Sequence, residues 1–292
     1  MHQSKEKQSL RLTLKGLFTL MRPRQWIKNA FVCAPLIFSA EFLKLTSLEN
    51  TALATVLFCL ASSTAYIIND LADAKTDRLH GNKSKIRPIA SGLINTQLAL
   101  ILLAILYSLL IGGFFIAPKL IGVIVAYICL NIAYTLIFKH QPVLDIFSIA
   151  IGFVLRVYAG AIAIDVPVSS WMFITTFCLA LHLAAIKRHQ ELIQRGPASR
   201  KVLTQYSIAL INRYADMSGI CALIFYSMFV MTTKQQLMIT VPLVLFGIFR
   251  YGYVVDTLGK GESPADAILA DSQLLITILT WVGTCLWILY PR

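Results

Sequence analysis

Charge is what this chain lacks most. Only 14% of its 292 residues are Asp, Glu, Lys or Arg, against 57% hydrophobic, whereas soluble domains carry roughly 25% charged residues. No stretch is polar enough to fold as a separate water-soluble unit. The expectation is a single membrane domain over residues 1–292, with 1–20 as a basic leading segment. Paired cysteines are also missing. Cys33, Cys59, Cys129, Cys178, Cys221 and Cys285 all lie in apolar runs and none forms a C-x-x-C, which argues against a thiol metal site and for small packing residues. No short apolar core with a cleavage site follows MHQSKEKQSLRLTLKG, so a signal peptide is not expected. His80, His140 and His189 share no metal-ligand spacing, and His182, in mid-run, reads as a satisfied core histidine. Gly259-x-Gly261 gives a flexible loop and no dinucleotide fingerprint.

What the chain has is long apolar runs, each about 20 residues, the length that spans a bilayer as helix. Nine are read, at 27–43, 50–70, 97–117, 119–138, 143–164, 170–187, 207–232, 236–255 and 273–290; Pro35 interrupts the first. The fold class is therefore an all-α polytopic membrane protein with nine transmembrane helices. The net charge of +12 is distributed unlike a nucleic-acid surface. Twenty-one of the 26 basic residues fall in segments on one side of the spans, only Lys44, Lys119, Lys234 and Arg292 on the other, and Arg156 inside the fifth span. That asymmetry places the N-terminus in the cytoplasm and the C-terminus outside. Most acids follow the same side, with only Glu41, Glu49 and Asp165 opposite, so any chemistry is expected on the cytoplasmic face, with membrane lipid and no nucleic acid as the surroundings.

The second span runs into Asn69-Asp70-Leu-Ala-Asp73-Ala-Lys-Thr-Asp77. Asn69, Asp73 and Asp77 stand at i, i+4 and i+8, one stripe of a helix, with Asp70 flanking. Carboxylates at this spacing repel, and a divalent cation relieves the repulsion. Oxygen-only donors favour Mg²⁺, which takes one or two carboxylates and completes its shell with water and substrate phosphates. The plainer account is a solvated acidic helix end. Against it stands the loop that follows, His80-Gly-Asn-Lys83-Ser-Lys85-Ile-Arg87-Pro88-Ile-Ala-Ser91-Gly92. An acid stripe followed by a basic loop suits a metal-bridged diphosphate, with Mg²⁺ on one side and Lys and Arg on the other.

N-D-x-x-D-x-x-x-D followed by R-P-I-A-S-G resembles the UbiA superfamily of intramembrane prenyltransferases. The resemblance implies a nine-helix bundle with a cytoplasmic-facing Mg²⁺–diphosphate site, in which Asn69, Asp70, Asp73 and Asp77 are the metal-binding and catalytic set. Aromatic prenyltransferases of the superfamily carry a second motif, D-x-x-x-D, near the sixth span. Here that span ends Lys187-Arg188-His189-Gln190-Glu191, which cannot hold a second metal between two aspartates and suits a phosphate monoester instead. With Arg22-Pro-Arg-Gln-Trp26-Ile-Lys28-Asn29, Tyr134 to His140, Asp145, Gly152 to Arg156, and Arg250-Tyr251 leading to Asp266 and Asp271, the chain is similar to the decaprenyl-phosphate phosphoribosyltransferase branch from about residue 20 to 275.

The resemblance implies a bacterial plasma-membrane enzyme that moves a phosphoribosyl group from phosphoribosyl diphosphate to a polyprenyl phosphate. Lys28, Lys85, Arg87, Tyr134, Lys139, Asp145, Arg156, Lys187 and Arg188 are its substrate-binding candidates. Lys28 is either an interface anchor or a phosphate ligand, and the resemblance implies the ligand. Asp145 either orients a cation or acts as a base. Arg156, a cation inside a span, is functional or paired by default, but Asp145 lies eleven residues away, about 16 Å along a helix, too far to be its partner. Glu262, Asp266 and Asp271 either close over the donor or solvate their loop. Two rival functions are prenyl transfer from a polyprenyl diphosphate to an aromatic acceptor, and lipid binding or transport without turnover. The sequence sets no stoichiometry, and a homo-oligomer is compatible with it.

Overall fold

The computed structural model describes residues 2–79, 83–197, 200–257 and 264–290; His80, Lys260, Glu262 and the Gly259-x-Gly261 pair lie outside these. Among the described residues every regular element is helical: α1 (His2–Leu20), α2 (Ala34–Phe38), α3 (Leu45–Leu79), α4 (Lys83–Ile86), α5 (Thr96–Ile116), α6 (Ile121–Leu136), α7 (Leu144–Ala163), α8 (Ser170–Arg195), α9 (Ile208–Thr233), α10 (Val241–Asp256), α11 (Pro264–Ala270) and α12 (Ser272–Leu289), joined by short 3₁₀ turns. Eight helical segments, built on α3, α5, α6, α7, α8, α9, α10 and α12, are long and apolar enough to cross a membrane.

The expected first span, 27–43, departs from the others. It is a 3₁₀ segment, Pro23–Cys33, followed by the five-residue α2. Arg22 (φ 54°) and Ala40 (φ 59°) both turn in the left-handed region, and Pro23 and Pro35 each start a helical stretch without an amide to donate. Side-chain bonds hold this tighter path. Asn29 is fully buried, donating to Ser62 Oγ (3.3 Å) and Cys59 Sγ (3.2 Å) of α3 while accepting from Arg156 of α7 (2.8 Å). The segment also approaches α7 so closely that a Cβ at Gly160 would overlap the Val32 carbonyl, so only glycine admits it.

The eight helices alternate in direction, and α3 and α7 form the centre: more than half of the apolar window of each is buried, against about a quarter for α5, α6 and α10. Large apolar side chains such as Ile105, Leu109, Phe115, Phe246 and Phe249 point outward, as expected where the surroundings are hydrocarbon. Side-chain caps start three helices: Asn95 accepts from Leu98 N, Ser207 from Leu210 N and Asp271 from Leu274 N. The alternation brings one set of ends together: the ends of α3, α6, α8 and α10 with the beginnings of α5, α7, α9 and α12. Nearly every charged candidate lies there. The opposite end carries two ion pairs, Lys44–Glu41 and Lys119–Asp165.

Candidate active site

The acid stripe lies on the last three turns of α3. Asp70 and Asp77 are buried, at 2% exposure each, whereas Asp73 is open to 28% and Asn69 is partly exposed. Three cations reach it from three other places. Arg22 donates to Asp70 Oδ1 (2.5 Å) and lies over the Tyr66 ring. Arg87 donates through one nitrogen to Asp70 Oδ1 (2.9 Å) and Asp77 Oδ2 (2.5 Å). Lys139, in the 3₁₀ turn after α6, donates to Asp73 Oδ1 (2.5 Å). Thr135 Oγ1 donates to Asn69 Oδ1 at 3.5 Å.

This arrangement amends one expectation. The three carboxylates do not stand unrelieved until a divalent ion arrives, because three cations already offset their charge. The Arg87 loop shows how its cation is aimed: Ile89 and Ile94 insert into the core, Ser91 and Ile94 amides return to the Arg87 and Pro88 carbonyls, and Gly92 (φ 78°) takes the left-handed turn. Arg22 was legible only as a loop charge and family-motif residue, not as a partner of Asp70.

A second cluster forms where α7, α8 and the 3₁₀ turn Lys201–Gln205 meet. Arg188, 1% exposed, donates from Nε to Asp145 Oδ2 (2.7 Å), from Nη1 to Glu191 Oε2 (2.6 Å) and from Nη2 to Tyr134 Oη (3.2 Å). Arg200 donates to the same Tyr134 oxygen (3.2 Å). Asp145, fully buried, accepts a further bond from Tyr206 (2.7 Å), whose oxygen accepts from the Val143 amide (2.6 Å). Burial pushes the Tyr206 phenol above its ordinary value and the adjacent Asp145 carboxylate adds to the effect, so the hydroxyl keeps its proton and donates. Of the two roles open for Asp145, the geometry is that of a cation-orienting group. Arg200 and Tyr206 are not singled out by the sequence, and Tyr206 becomes legible only when the Lys201–Gln205 turn is packed against the start of α7; Glu191, three residues on from Arg188 along α8, reads from the sequence as the one acid beside two cations.

Arg156 has no carboxylate partner among the described residues. Its three nitrogens donate to Asn29 Oδ1 (2.8 Å), the Gly152 carbonyl (2.8 Å) and Tyr127 Oη (2.9 Å), and it lies near the Tyr127, Phe153 and Phe58 rings. These bonds and ring faces stabilise a buried guanidinium without an anion, and in doing so clamp the Pro23–Cys33 segment to α6 and α7. Lys28 and Lys187 are partly exposed, have no ion-pair partner among the described residues, and lie within electrostatic reach of each other. Lys85 is exposed. His182 is a core histidine as expected but only half satisfied: Nδ1 is bonded to the Ala215 carbonyl (2.8 Å), while the buried Nε2 has no hydrogen-bond partner among the described residues. Asp271 takes both bonds from Arg250 (2.7 and 3.0 Å) while capping α12, so it is a structural clamp rather than a solvated loop acid. Asp266 on α11 lies within electrostatic reach of Lys28.

The donor set suits a magnesium ion. Asn69 and Asp73 offer hard oxygens at the accessible edge of α3, while Asp70 and Asp77 are engaged by Arg87 and Arg22. Among the described residues no group of three or more Cys, His, Asp and Glu is assembled as a ready-made cage. A small protein share, completed by water and substrate oxygens, is what Mg²⁺ prefers.

The fold and this polar end define a polytopic helical membrane protein whose candidate site lies where the helix ends converge. A family model described as the UbiA prenyltransferase family matches residues 30–270. A Mycolicibacterium smegmatis protein named decaprenyl-phosphate phosphoribosyltransferase is 33% identical over 93% of this chain and 91% of its own. One of the same name from Corynebacterium glutamicum is 31% identical over 96% and 88%. Among solved structures, a UbiA homologue from Archaeoglobus fulgidus bound to GPP and Mg²⁺ superposes with a TM-score of 0.71 at 18% identity, covering 94% of this chain and all of that one. The chain belongs to the UbiA prenyltransferase family. It is an integral membrane transferase of that superfamily, which sets aside transport without turnover.

Proposed function

We propose that the protein transfers a 5-phosphoribosyl group from phosphoribosyl diphosphate to a polyprenyl phosphate, of decaprenyl type, at the cytoplasmic face of the bacterial plasma membrane. One observation carries the choice over aromatic prenylation. Opposite the acid stripe, where a second pair of aspartates would hold a second metal, this chain has Lys187, Arg188 and Arg200, with the acids there already bonded to Arg188. A cationic wall suits phosphate monoesters, which both the lipid acceptor and the donor's 5-position carry. The names of the full-length relatives agree with it, and the excess of basic residues at the same end supports the orientation.

Asn69 and Asp73, with Asp70 and Asp77 on the same stripe, would hold the magnesium, which when bound would neutralise the departing diphosphate, and Arg87 would contact that diphosphate. Lys28 and Lys187, partly exposed and without an ion-pair partner among the described residues, bind phosphate oxygens, and Lys85, at the exposed rim, draws in the donor. Lys139, bonded to Asp73, would contact the donor's phosphate oxygens. The acceptor phosphate is already anionic, so its oxygen attacks the anomeric carbon without a general base. Tyr134 and Arg188 fix the geometry, and Arg156 keeps the Lys28 segment in place. Catalysis is then positioning and charge neutralisation.

Purified protein in detergent or nanodiscs decides it. Diphosphate release is expected to require phosphoribosyl diphosphate, polyprenyl phosphate and Mg²⁺ together, and to stop with EDTA. Release from polyprenyl diphosphate plus 4-hydroxybenzoate, with none from phosphoribosyl diphosphate, would falsify the reading.

A further inference from the structure

Val143 is a β-branched residue at φ 68°, ψ −50°. The Leu144 amide donates to the Pro142 carbonyl (2.8 Å) around it, which makes the turn a γ-turn of the rarer, strained hand. Bulky residues adopt positive φ only where the surroundings impose it, and such strain concentrates at functional sites. What the strain secures here can be followed bond by bond. The Val143 amide donates to Tyr206 Oη, the Tyr206 hydroxyl donates to Asp145 Oδ1, and Asp145 Oδ2 receives Arg188 Nε. Arg188 then donates to Glu191 and to Tyr134, where Arg200 also arrives. The path is directional throughout, because every donor and acceptor in it is fixed. Without Tyr206, Asp145 would keep only its bond to Arg188 and gain freedom to rotate, and Arg188 would lose a fixed Asp145 while still bonded to Glu191 and Tyr134.

We propose that Tyr206 is a positioning residue of the transferase: its hydroxyl, held by the strained Val143 turn, orients Asp145 and through it the Arg188 guanidinium that sets Tyr134 at the phosphate site. The residue lies 61 positions from Asp145, at the end of a connecting turn whose Val202 and Leu203 are fully buried. That turn is therefore docked firmly enough to serve as an anchor. The inference rests on the function proposed above only for its turnover readout.

A matched control exists at the other end of the bundle. Tyr226, also buried, has a hydroxyl bonded to Thr240 Oγ1 (2.6 Å) and to Trp281 Nε1 (2.9 Å). Tyr206→Phe and Tyr226→Phe each remove one buried hydroxyl with two partners, and both are expected to lower Tm in detergent. Only Tyr206→Phe is expected to raise KM for phosphoribosyl diphosphate or lower kcat, by about tenfold together, the smaller loss seen when a partner that orients a ligand is removed. On an Arg188→Lys background, Tyr206→Phe is expected to cost little more, since both act through one group. Equal kinetics for the two Phe variants, or full additivity with Arg188→Lys, overturns the proposal.

If wild-type protein releases no diphosphate from phosphoribosyl diphosphate, the function proposed above fails on its own. Calorimetric binding of inorganic diphosphate with Mg²⁺ then compares the same variants, with the same ranking expected and equal binding overturning the inference. Should Tyr206→Phe not accumulate folded, 3-fluorotyrosine at position 206 keeps both bonds but strengthens the donor. A shifted KM at unchanged Tm supports positioning, and no shift overturns it.

Discussion

Two groups of carboxylates meet at the same end of this bundle, and they are built to opposite specifications. On α3, Asp73 is 28% exposed and holds a single bond from Lys139, with Asn69 beside it also partly open. Between α7 and α8, Asp145 is fully buried and both its oxygens are bonded, one to Arg188 and one to Tyr206. Asp73 has one bond to exchange, as the proposed metal and diphosphate site requires. Asp145 has none, because desolvation has already been offset by a specific set of bonds and any rearrangement would leave a buried charge exposed to the low dielectric. Carboxylates at this end thus range from Asp73, exposed and singly bonded, to Asp145, fully buried with both oxygens engaged, with Asp70 and Asp77 buried against Arg22 and Arg87 between these extremes.

The largest effect that tests this contrast is on folding. Asp145→Asn removes the charge facing Arg188 and leaves Glu191 as its nearest anion. Breaking one side of a buried pair costs about 3–5 kcal/mol, so the variant is expected to show a strongly lowered Tm in detergent and poor accumulation in the membrane. A Tm near wild type would show that water reaches the cluster and that it is no framework. Asp73→Ala should give the reverse pattern. Its partner Lys139 is buried and loses its carboxylate, but Asp73 itself is 28% exposed and holds one bond, so Tm falls less than for Asp145→Asn, while kcat/KM falls by about 10²–10³, in the range found when one preorganised electrostatic contact to a developing charge is lost. Loss of Tm without loss of turnover would exchange the roles assigned to the two clusters.

The two clusters also differ in how far the sequence discloses them. Asn69, Asp70, Asp73 and Asp77 share one helix, where 3.6-residue periodicity turns spacing directly into geometry, so the stripe is readable without any tertiary information. Arg188 and Asp145 are 43 residues apart on different helices, and each alone looks like a membrane-boundary charge. The same limit applies to Arg156. Helical rise excluded Asp145 as its partner, but Asn29, 127 residues away, could be found only once the Pro23–Cys33 segment was seen to fold tightly against α7. That segment is also where span counting meets its exception: apolar composition marks a crossing, but two prolines and two left-handed turns give a broken 3₁₀ path that supplies Asn29 and Lys28 to the site. Eight of the nine spans needed only length and hydropathy. The cations that offset the stripe needed the fold.

The smallest effect is expected at the opposite end. Lys119 donates twice to Asp165, at 2.5 and 2.7 Å, which in distance alone matches the best pairs in the molecule. Yet both side chains are mostly exposed, at 64% and 71%. Water solvates each charge in the absence of the other, and salt screens what attraction remains, so exposed pairs contribute about 0–1 kcal/mol whatever their length. Lys119→Ala is therefore expected to leave Tm nearly unchanged and kcat/KM within about twofold of wild type, the change being smaller still at high salt. A pair of equal length and opposite burial isolates desolvation as the variable that distinguishes it from Arg188–Asp145. A fall in kcat/KM beyond tenfold for Lys119→Ala, with Tm held, would mean that the α7 end carrying Asp165 communicates with the Asp145 end of the same helix, and the division between framework and reacting charge would have to be drawn along α7 instead of between the two clusters.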